Sequence, residues 1–239
     1  MIRLEHVVLP SPEQMEFVIE GMRNPMNSWY TSDSDICNPL NGCYYNCDKV
    51  ECTVKEHFNL GPNDRSLMLR LAVAGTDHRK YMRMMPVMVC ITAPLYWWKE
   101  FDTYKVGTVA NSCSTMHKVA AKRFTLEDFS HEHLVCISTL DYVVQELNCW
   151  RSRYIQYDED PTVGENLKMS KKDIWWQMIQ LLPSSYNQTR NVMLNYEVLA
   201  NIYKSRRNHK LDEWHAFCDW IETLPYFEII WAAAGTKEA

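Results

Sequence analysis

The segment YKVGTVANSCSTMHK, residues 104–118, lies near the middle of the chain and is dominated by small and polar side chains. It follows closely on a bulky apolar run, ITAPLYWWKEF, at residues 91–101. Hydroxyl and amide groups together with accessible backbone N–H groups suit a phosphate or a carboxylate. Clusters of Ser, Thr and Asn are also common in ordinary surface loops. Taken alone, the segment is either an anion-binding element or a polar connection.

The composition of the chain is that of a globular protein with a substantial core. Of its 239 residues, 46% are hydrophobic and 23% are charged, which argues against disorder. The length allows one domain or two small ones, and because no clean linker is present, we expect a single domain spanning residues 1–239. The net charge of -5 at pH 7 argues against a nucleic-acid polymer as partner, which needs a basic stripe. A small anionic ligand needs only a few local cations.

Targeting and metal-binding signals are weak. The stretch MIRLEHVVLPSPEQ lacks the apolar core of a secretory signal, and no apolar run approaches the ~20 residues of a membrane helix. We therefore expect a cytoplasmic protein with reduced thiols and no membrane partner. Cys37, Cys43, Cys47 and Cys52 could together bind zinc, but spacings of five, three and four residues do not form the tight pairs typical of structural zinc sites. Buried free thiols explain the cluster better, and we expect no metal.

Capping residues and apolar periodicity predict a mainly helical chain. Ser11, with Gln14 completing a capping box, predicts a helix over SPEQMEFVIEGM. Asp64 as cap and Gly75 as stop predict another over DRSLMLRLAVAG. The apolar run MMPVMVCIT, residues 84–92, lacks a helical period and predicts a strand. Further helices are predicted for APLYWWKEFDTY, STLDYVVQELNCWRSRYIQY, SKKDIWWQMIQLLP, TRNVMLNYEVLANIYKSRR and HKLDEWHAFCDWIETLP, with DEDPTVGEN (158–166) as an acidic connection. Helices with a few strands indicate an α+β or α/β fold.

The predicted helix over residues 190–206 places two polar side chains on one apolar stripe. Asn195 and Arg206 are eleven positions apart, which brings them within about 20° of each other around a helix. Leu199 and Ile202 share that stripe, and a buried arginine would need an anion. The alternative is that both polar side chains reach solvent at the helix ends, where Arg206 complements the C-terminal dipole.

Six segments follow one another in an order that points to a known family. They are SLMLRLAVAGTDHRKYM, VMVCITAPLYWWKEF, TYKVGTVANSCSTMHK, LLPSSYNQT, NYEVLANIYKSRR and HKLDE. Their order and spacing resemble the motifs of the flavin-dependent thymidylate synthases, and the third segment falls on that family's signature RHRxxSxNxxSxR. The RHR triplet appears here as Thr103, Tyr104 and Lys105. Met116 stands for the final arginine of the signature, and Ile179 stands for an arginine shortly before the LP pair.

The resemblance implies a fold, an activity and a set of binding residues. The fold is α/β (α+β), with a central, mostly antiparallel sheet and several long helices, in a homotetramer. The activity is transfer of a one-carbon unit from methylenetetrahydrofolate to a pyrimidine deoxynucleotide, dUMP or an analogue, with FAD as cofactor and NADPH as reductant. By position in the motifs, cofactor binding falls to His78, Lys105, Asn195 and Asn201, nucleotide binding to Asn111, Ser112, Ser114 and Arg206, and catalysis to Arg206.

The missing arginines leave other functions open. A single lysine does not restore bidentate recognition of an anion, so the substrate or the one-carbon product could differ, as in hydroxymethylation. The alternative is a non-catalytic nucleotide-binding or oligomeric interaction protein built on the same fold. A helical domain held by zinc at the cysteine cluster is a third hypothesis. Cys113 is not expected to be a nucleophile, because the sequence places no obvious base beside it.

Overall fold

A four-stranded sheet, a two-stranded sheet and a series of helices make up the protein, which a computed structural model describes over residues 2–37, 57–160 and 162–235. The strands are β1 (Arg3–Val8), β2 (Asp35–Cys37), β3 (His57–Asn59), β4 (Pro86–Pro94), β5 (Val109–Ser112) and β6 (Asn187–Asn195). The helices are α1 (Pro12–Arg23), α2 (Pro62–Val73), α3 (Leu95–Phe101), α4 (Thr115–Lys118), α5 (Ile137–Glu159), α6 (Thr162–Leu167), α7 (Lys171–Leu181), α8 (Tyr196–Arg206), α9 (Asp212–Glu222) and α10 (Phe227–Ala234). The larger sheet is antiparallel with the order β1-β4-β6-β5. The predicted fold class is therefore confirmed.

The smaller sheet pairs β2 with β3 in antiparallel register, with Ile36 opposite Phe58. Cys37, the first cysteine of the predicted cluster, ends β2. The other three cysteines of the cluster lie outside the described residues, so their role stays a prediction. Within the described ranges, no three His, Cys, Asp or Glu side chains are grouped as ligands for a metal ion.

The chain divides into two compact units, each assembled from separate stretches. Unit 1 comprises Met1–Arg3, Cys90–Thr103 and Ala110–Asn191, and unit 2 comprises Leu4–Val89, Tyr104–Val109 and Val192–Ala239. The single domain expected from the sequence stays a prediction. Across the described parts of both units, no helix is long and apolar enough to cross a membrane.

The core of unit 1 lies between α5 and α7, both of which the sequence predicts. Leu140 and Leu147 of α5 are buried and pack in one cluster with Met178 of α7. Ser170 begins α7 with a capping box, in which its hydroxyl accepts the N–H of Asp173 and the Asp173 carboxylate accepts the N–H of Ser170. Local caps and apolar periodicity were sufficient to predict this helical pair.

The core of unit 2 is formed by α8 and the helices around it. α8 packs against α9 and α10, and α10 also packs against α2. Leu199 and Ile202 of α8 are fully buried, as are Trp214 and Phe217 of α9. α1 belongs to the same unit and begins with the predicted capping box at Ser11.

The capping residue predicted for α2, Asp64, is wrong. The helix begins at Pro62, with Gly61 as N-cap. The carboxylate of Asp33, distant in sequence, accepts the N–H groups of Asn63 at 2.8 Å and of Asp64 at 3.1 Å. The side chain of Asp64 is instead fully buried.

The predicted helix over residues 190–206 is a strand followed by a helix. Buried Val192 and Leu194 flank exposed Met193, which is the period of a strand. Asn195 is the N-cap of α8, and its Oδ1 accepts the N–H of Val198 at 3.0 Å. The argument that placed Asn195 and Arg206 on one helical stripe is therefore wrong. The connection predicted at residues 158–166 is also wrong in part, because it contains the end of α5 and most of α6.

Candidate functional site

Arg206 is held at the C-terminal end of α8 by two aromatic side chains. Its Nε–H donates to the Tyr104 hydroxyl at 3.0 Å. Its guanidinium carbon lies 4.9 Å from the ring centroid of Trp214 and 5.7 Å from that of Tyr104. Trp214 is fully buried, whereas Arg206 is half-buried. Cation–π contacts and a directional hydrogen bond restrict the orientation of a guanidinium, so Arg206 is a pre-oriented cation.

The loop that carries Tyr104 is tied to α8 at the other end of the helix as well. Asn195 Nδ2 donates to the carbonyl of Gly107 at 3.4 Å. Gly107 has a φ of 78°, and a Cβ at this position would lie 2.8 Å from Asn195 Nδ2. A side chain at residue 107 is therefore disfavoured by the backbone conformation and by the close approach. Glycine lets the loop follow α8 closely enough for Tyr104 to reach Arg206.

Three of the predicted cofactor residues lie on the surface of unit 2. Lys105 follows Tyr104 in the loop, Asn201 lies on α8, and His78 follows α2; all three are exposed. In the same loop, the hydroxyl oxygen of Thr108 is buried and has no hydrogen-bond partner among the described residues. The loop therefore offers a cation and an unused hydroxyl close together in sequence.

The carboxylate of Glu197 pairs with two arginines and thereby connects the turn of His78 to α8. Glu197, in the first turn of α8, accepts from Arg79 at 3.2 Å and also pairs with Arg83. Burial alone would raise the pKa of Glu197, but the hydrogen bonds and charges of the two guanidinium groups outweigh burial and lower it. Because Arg79 follows His78 directly, the ion pairs fix the turn that presents His78.

The predicted nucleotide residues of unit 1 lie on a strand and at the start of a short helix. Asn111 and Ser112 belong to β5 and are exposed. The N–H of Cys113 donates to the Thr189 carbonyl at 3.0 Å and continues the pairing with β6. Ser114 is the N-cap of α4, and its Oγ accepts the N–H three residues on at 3.2 Å. This part of the segment is thus an ordered element of the sheet edge, whereas residues 104–108 form a loop.

A polar cavity of about 340 Å³ lies beside Ser114 in unit 1. Thr92 of β4 and Thr189 of β6 line it, with their hydroxyl oxygens 2.7 Å apart. Gln188 Nε2 donates to the Cys113 carbonyl at 3.0 Å and to Thr115 Oγ1 at 2.9 Å. These bonds hold the wall that carries Ser114 against β6, and they give the cavity a hydroxyl-rich lining.

Several residues of these sites were missed from the sequence. In the sequence, Tyr104 stands only as the replacement of a family histidine. Its contact with an arginine 102 positions away leaves no local sequence pattern that could predict it. Trp214 was placed on a predicted helix without a role. Gly107 carried the only usable signal, since a glycine in an ordered segment often marks a positive φ or a close approach.

Comparison with known proteins relates the chain to solved structures alone. No protein-family model matches it, and no curated protein matches it in sequence. The structure of thymidylate synthase X (ThyX) from Helicobacter pylori with FAD and dUMP superposes with a TM-score of 0.62 at 12% identity, covering 99% of this chain and 100% of that chain. A UMP/dUMP methylase, PolB from Streptomyces cacaoi bound with 5-Br UMP, superposes with a TM-score of 0.56 at 10% identity, covering 98% of this chain and 96% of that chain. The described residues therefore have the fold of flavin-dependent thymidylate synthases.

Proposed function

We propose that the protein is a flavin-dependent enzyme that transfers a one-carbon unit from methylenetetrahydrofolate to a pyrimidine deoxynucleotide, dUMP or a close analogue. The observation that carries this proposal is Arg206, held in a fixed orientation by Tyr104 and Trp214 at the place of the family's substrate-side arginine. The full-length fold similarity to a synthase crystallised with FAD and dUMP and to a UMP/dUMP methylase supports it.

Arg206 would act on the pyrimidine ring through charge and hydrogen bonds. A guanidinium donates N–H groups in a planar fork, which suits the carbonyl oxygens of a pyrimidine edge. A cation held there stabilises the negative charge that develops on the ring when the ring reacts as a nucleophile. Because Tyr104 and Trp214 orient the guanidinium plane in advance, little reorganisation is needed when the nucleotide binds.

The residues along α8 and its loop fit part of a flavin site. Lys105 offers a cation, Asn201 an amide and Thr108 an unused hydroxyl, and such donors suit the diphosphate of FAD. His78 adds an exposed imidazole on the turn fixed to α8. Asn195 already bonds α8 and Gly107, so we assign it the role of holding the loop beside the cofactor. Bound flavin, reduced by NADPH, would supply the reducing equivalents for the transfer.

The nucleotide contacts in unit 1 would come from the sheet edge. β5 is one of the two outer strands in the order β1-β4-β6-β5, and outer strands present backbone groups to a ligand or partner. Asn111 and Ser112 would add an amide and a hydroxyl from this strand, and Ser114 a hydroxyl at the start of α4.

Flavin binding and nucleotide-dependent turnover test the proposal. The purified protein should show the visible absorption of oxidised flavin or acquire it with added FAD, and dUMP should stimulate NADPH oxidation in the presence of methylenetetrahydrofolate. A colourless protein that binds no added FAD would refute the proposal.

The role of Arg206 has a matched control in the next residue. Arg206→Ala should abolish turnover while the protein stays folded, with a melting temperature lower by only a few degrees. Arg207→Ala removes a neighbouring guanidinium that pairs with Asp219 and Glu222 on the surface, where such pairs contribute about 0–1 kcal/mol, and should retain activity. Full activity in Arg206→Ala would contradict the assignment.

The replacement of two arginines favours the alternative, a non-catalytic nucleotide-binding or oligomeric interaction protein. Ile179, in the place of a family arginine, packs against the apolar core of unit 1. Met116, in the place of another, is 46% exposed and offers no charge. A protein of this kind would bind dUMP without binding FAD and without oxidising NADPH, so the same assays separate the two functions.

We also propose a cytoplasmic homotetramer that has neither a nucleic-acid polymer nor a membrane as partner. Met88 of β4 and Met193 of β6 are 44% and 39% exposed, although the residues on either side of each are buried. Val109 of β5 is 60% exposed. Large apolar side chains exposed on neighbouring strands support a face that another copy of the chain covers.

A further inference from the structure

Two cations border the polar cavity of unit 1. Arg3, at the start of β1, and Lys118, at the end of α4, both line it and are exposed. Among the residues that the structure describes, neither side chain has an ion-pair or hydrogen-bond partner. Their charges are thus not neutralised within the described protein.

The remaining charged groups of the lining are two carboxylates and a third cation. Lys122 pairs with Asp128, and the hydrogen bond between them raises the pKa of Lys122. Glu127 is exposed, and the hydroxyl of Thr125 lowers its pKa by hydrogen bonding. With Lys122 and Asp128 neutralising each other, Arg3 and Lys118 outnumber Glu127, so the cavity is positive.

Neutral donors complete the lining. Ser114 Oγ accepts a backbone N–H, so its own hydroxyl hydrogen can be donated to a ligand. Asn187 accepts the hydroxyl of Ser130 through its Oδ1 at 2.9 Å, which directs its Nδ2 hydrogens elsewhere. Burial and the charge of Asp128 raise the pKa of Tyr186, so its phenol stays protonated and can donate.

This set of groups matches a phosphate monoester better than other small ligands. A phosphate dianion accepts through three terminal oxygens, and two separate cations with several neutral donors supply both the charge and the hydrogen bonds. An amine would be repelled by Arg3 and Lys118, and a carboxylate has fewer acceptor oxygens for the same donors. An apolar group would leave the polar lining without partners.

We propose that this cavity binds the phosphate of a phosphomonoester, with Lys118 and Arg3 supplying the charge and Ser114 a neutral hydrogen bond. The identity of the ester rests on the proposed function, which makes it the 5′-phosphate of the nucleotide. Lys118 lies two positions after Met116, which stands for the last arginine of the family signature. The charge lost at Met116 is thus replaced from the end of α4 and from β1.

Binding measurements with three ligands test the cavity. Isothermal titration calorimetry with dUMP, orthophosphate and deoxyuridine is performed on the wild-type protein and on Lys118→Gln and Arg3→Gln. Each substitution should weaken dUMP and orthophosphate by about tenfold or more, the effect of losing one charge-assisted hydrogen bond, and leave deoxyuridine unchanged. Lys99→Gln removes an exposed lysine on α3 of the same unit and should bind all three ligands like the wild type.

Two results would overturn the inference. One is unchanged affinity of both Lys118→Gln and Arg3→Gln for dUMP and orthophosphate, and the other is a wild-type protein that binds neither ligand. Failure of the proposed function has a different signature. If Lys118→Gln and Arg3→Gln retain the wild-type KM for dUMP in NADPH oxidation, the function stands and the cavity is excluded. If orthophosphate binds through Lys118 but FAD does not bind, the cavity is supported and the function is refuted.

Discussion

Tyr104 shows how a substituted motif residue can serve the site in a different way. Its phenol oxygen accepts the Nε–H of Arg206, and its ring lies within cation–π distance of the same guanidinium. In the family signature a histidine stands at this position. The tyrosine contacts Arg206 directly and would act on the substrate only through that arginine, so we regard it as a positioning residue for the proposed reaction.

Removing only the hydroxyl of Tyr104 tests that role. Tyr104→Phe keeps the ring but deletes the acceptor of a charged hydrogen bond, and such bonds contribute about 1.5–3 kcal/mol. We expect kcat/KM for dUMP-dependent NADPH oxidation to fall at least tenfold at a temperature where the variant is fully folded, and the melting temperature to fall by a few degrees. Tyr142→Phe removes the hydroxyl of a tyrosine that is 65% exposed on α5 and should change neither quantity. Equal activity of the two variants would show that Tyr104 does not position Arg206.

Glu197 stabilises unit 2 through the charge of its carboxylate, which pairs with two arginines. Glu197→Gln leaves Arg79 and Arg83 without their shared carboxylate, and loss of one partner from a mostly buried ion pair is strongly destabilising. Because Arg83 is half exposed, we expect the free energy of unfolding to fall by about 2 kcal/mol at pH 7. Urea unfolding measures the difference, and Glu20→Gln, an exposed position on α1, is the control.

The effect of Glu197 should also depend on pH. Its folded-state pKa is lowered from the ordinary value of 4.5, so its stabilisation is complete above that value and is lost as the pH falls below it. The difference in unfolding free energy between the wild type and Glu197→Gln should therefore shrink in acid. If the difference in unfolding free energy grew as the pH fell, the ionised carboxylate of Glu197 would not be the stabilising form.

At the scale of the element, α8 and the loop of residues 104–108 form one structural pair. The loop is bonded to the first residue before α8 through Gly107 and Asn195 and to its last turn through Tyr104 and Arg206. The eleven residues of α8 span about 16 Å, so two contacts at opposite ends fix the direction of the loop along the helix.

Gly107→Ala tests the contact between the loop and α8. The φ of 78° and the approach of Asn195 Nδ2 to 2.8 Å both act against a side chain, and we expect about 2 kcal/mol of destabilisation. Gly235 has a similar φ of 64°, but among the described residues no atom lies within 4 Å of the Cβ that alanine would add. Gly235→Ala therefore measures only the cost of placing a side chain on this backbone conformation. Thermal unfolding should show a larger loss for Gly107→Ala, and equal losses would exclude the close contact as a cause.

Local sequence could predict the elements whose capping residues and apolar pattern lie within the element itself. α1 and α7 carry capping boxes, and α5 has a long amphipathic pattern. The start of α2 could not be predicted, because Asp33 caps it from about thirty positions away. β6 was not predicted, because the helix predicted over residues 190–206 includes Asn195, which in the structure is the cap of α8. The alternation of buried and exposed side chains from Val192 to Leu194 is too short to stand out from the helical pattern that follows it.

At the scale of the whole molecule, the resemblance was sufficient to predict the fold, whereas the roles it implies for site residues stay predictions. Six weak segment matches in order were sufficient, because the order of elements determines which strands and helices can pair. The site depends on contacts such as Tyr104 with Arg206, which join residues that no local pattern relates. Met116 and Ile179 show from the sequence which charges are missing. The cations that we propose in their stead, Lys118 and Arg3, come together only in the fold.

The proposed tetramer can be tested through the exposed methionines of the sheet. Met193→Lys places a charge on a side chain that is 39% exposed on β6 and would be costly to bury in an interface. Light scattering with size-exclusion chromatography should show a tetramer for the wild type and smaller species for the variant. Met26→Lys, at a side chain that is 45% exposed outside the sheet, should leave the assembly intact. A monomeric wild type would contradict the proposal.

The discontinuous make-up of unit 2 has a consequence for biosynthesis. Tyr104–Val109 and α8 belong to one unit but are separated in the chain by Ala110–Asn191 of unit 1. At a translation rate of about 5–20 residues per second, the loop emerges on the order of ten seconds before its helix. During that interval the ribosome-bound chain holds a loop without its partner. Nascent-chain proteolysis should therefore find Tyr104 protected only after α8 has left the exit tunnel.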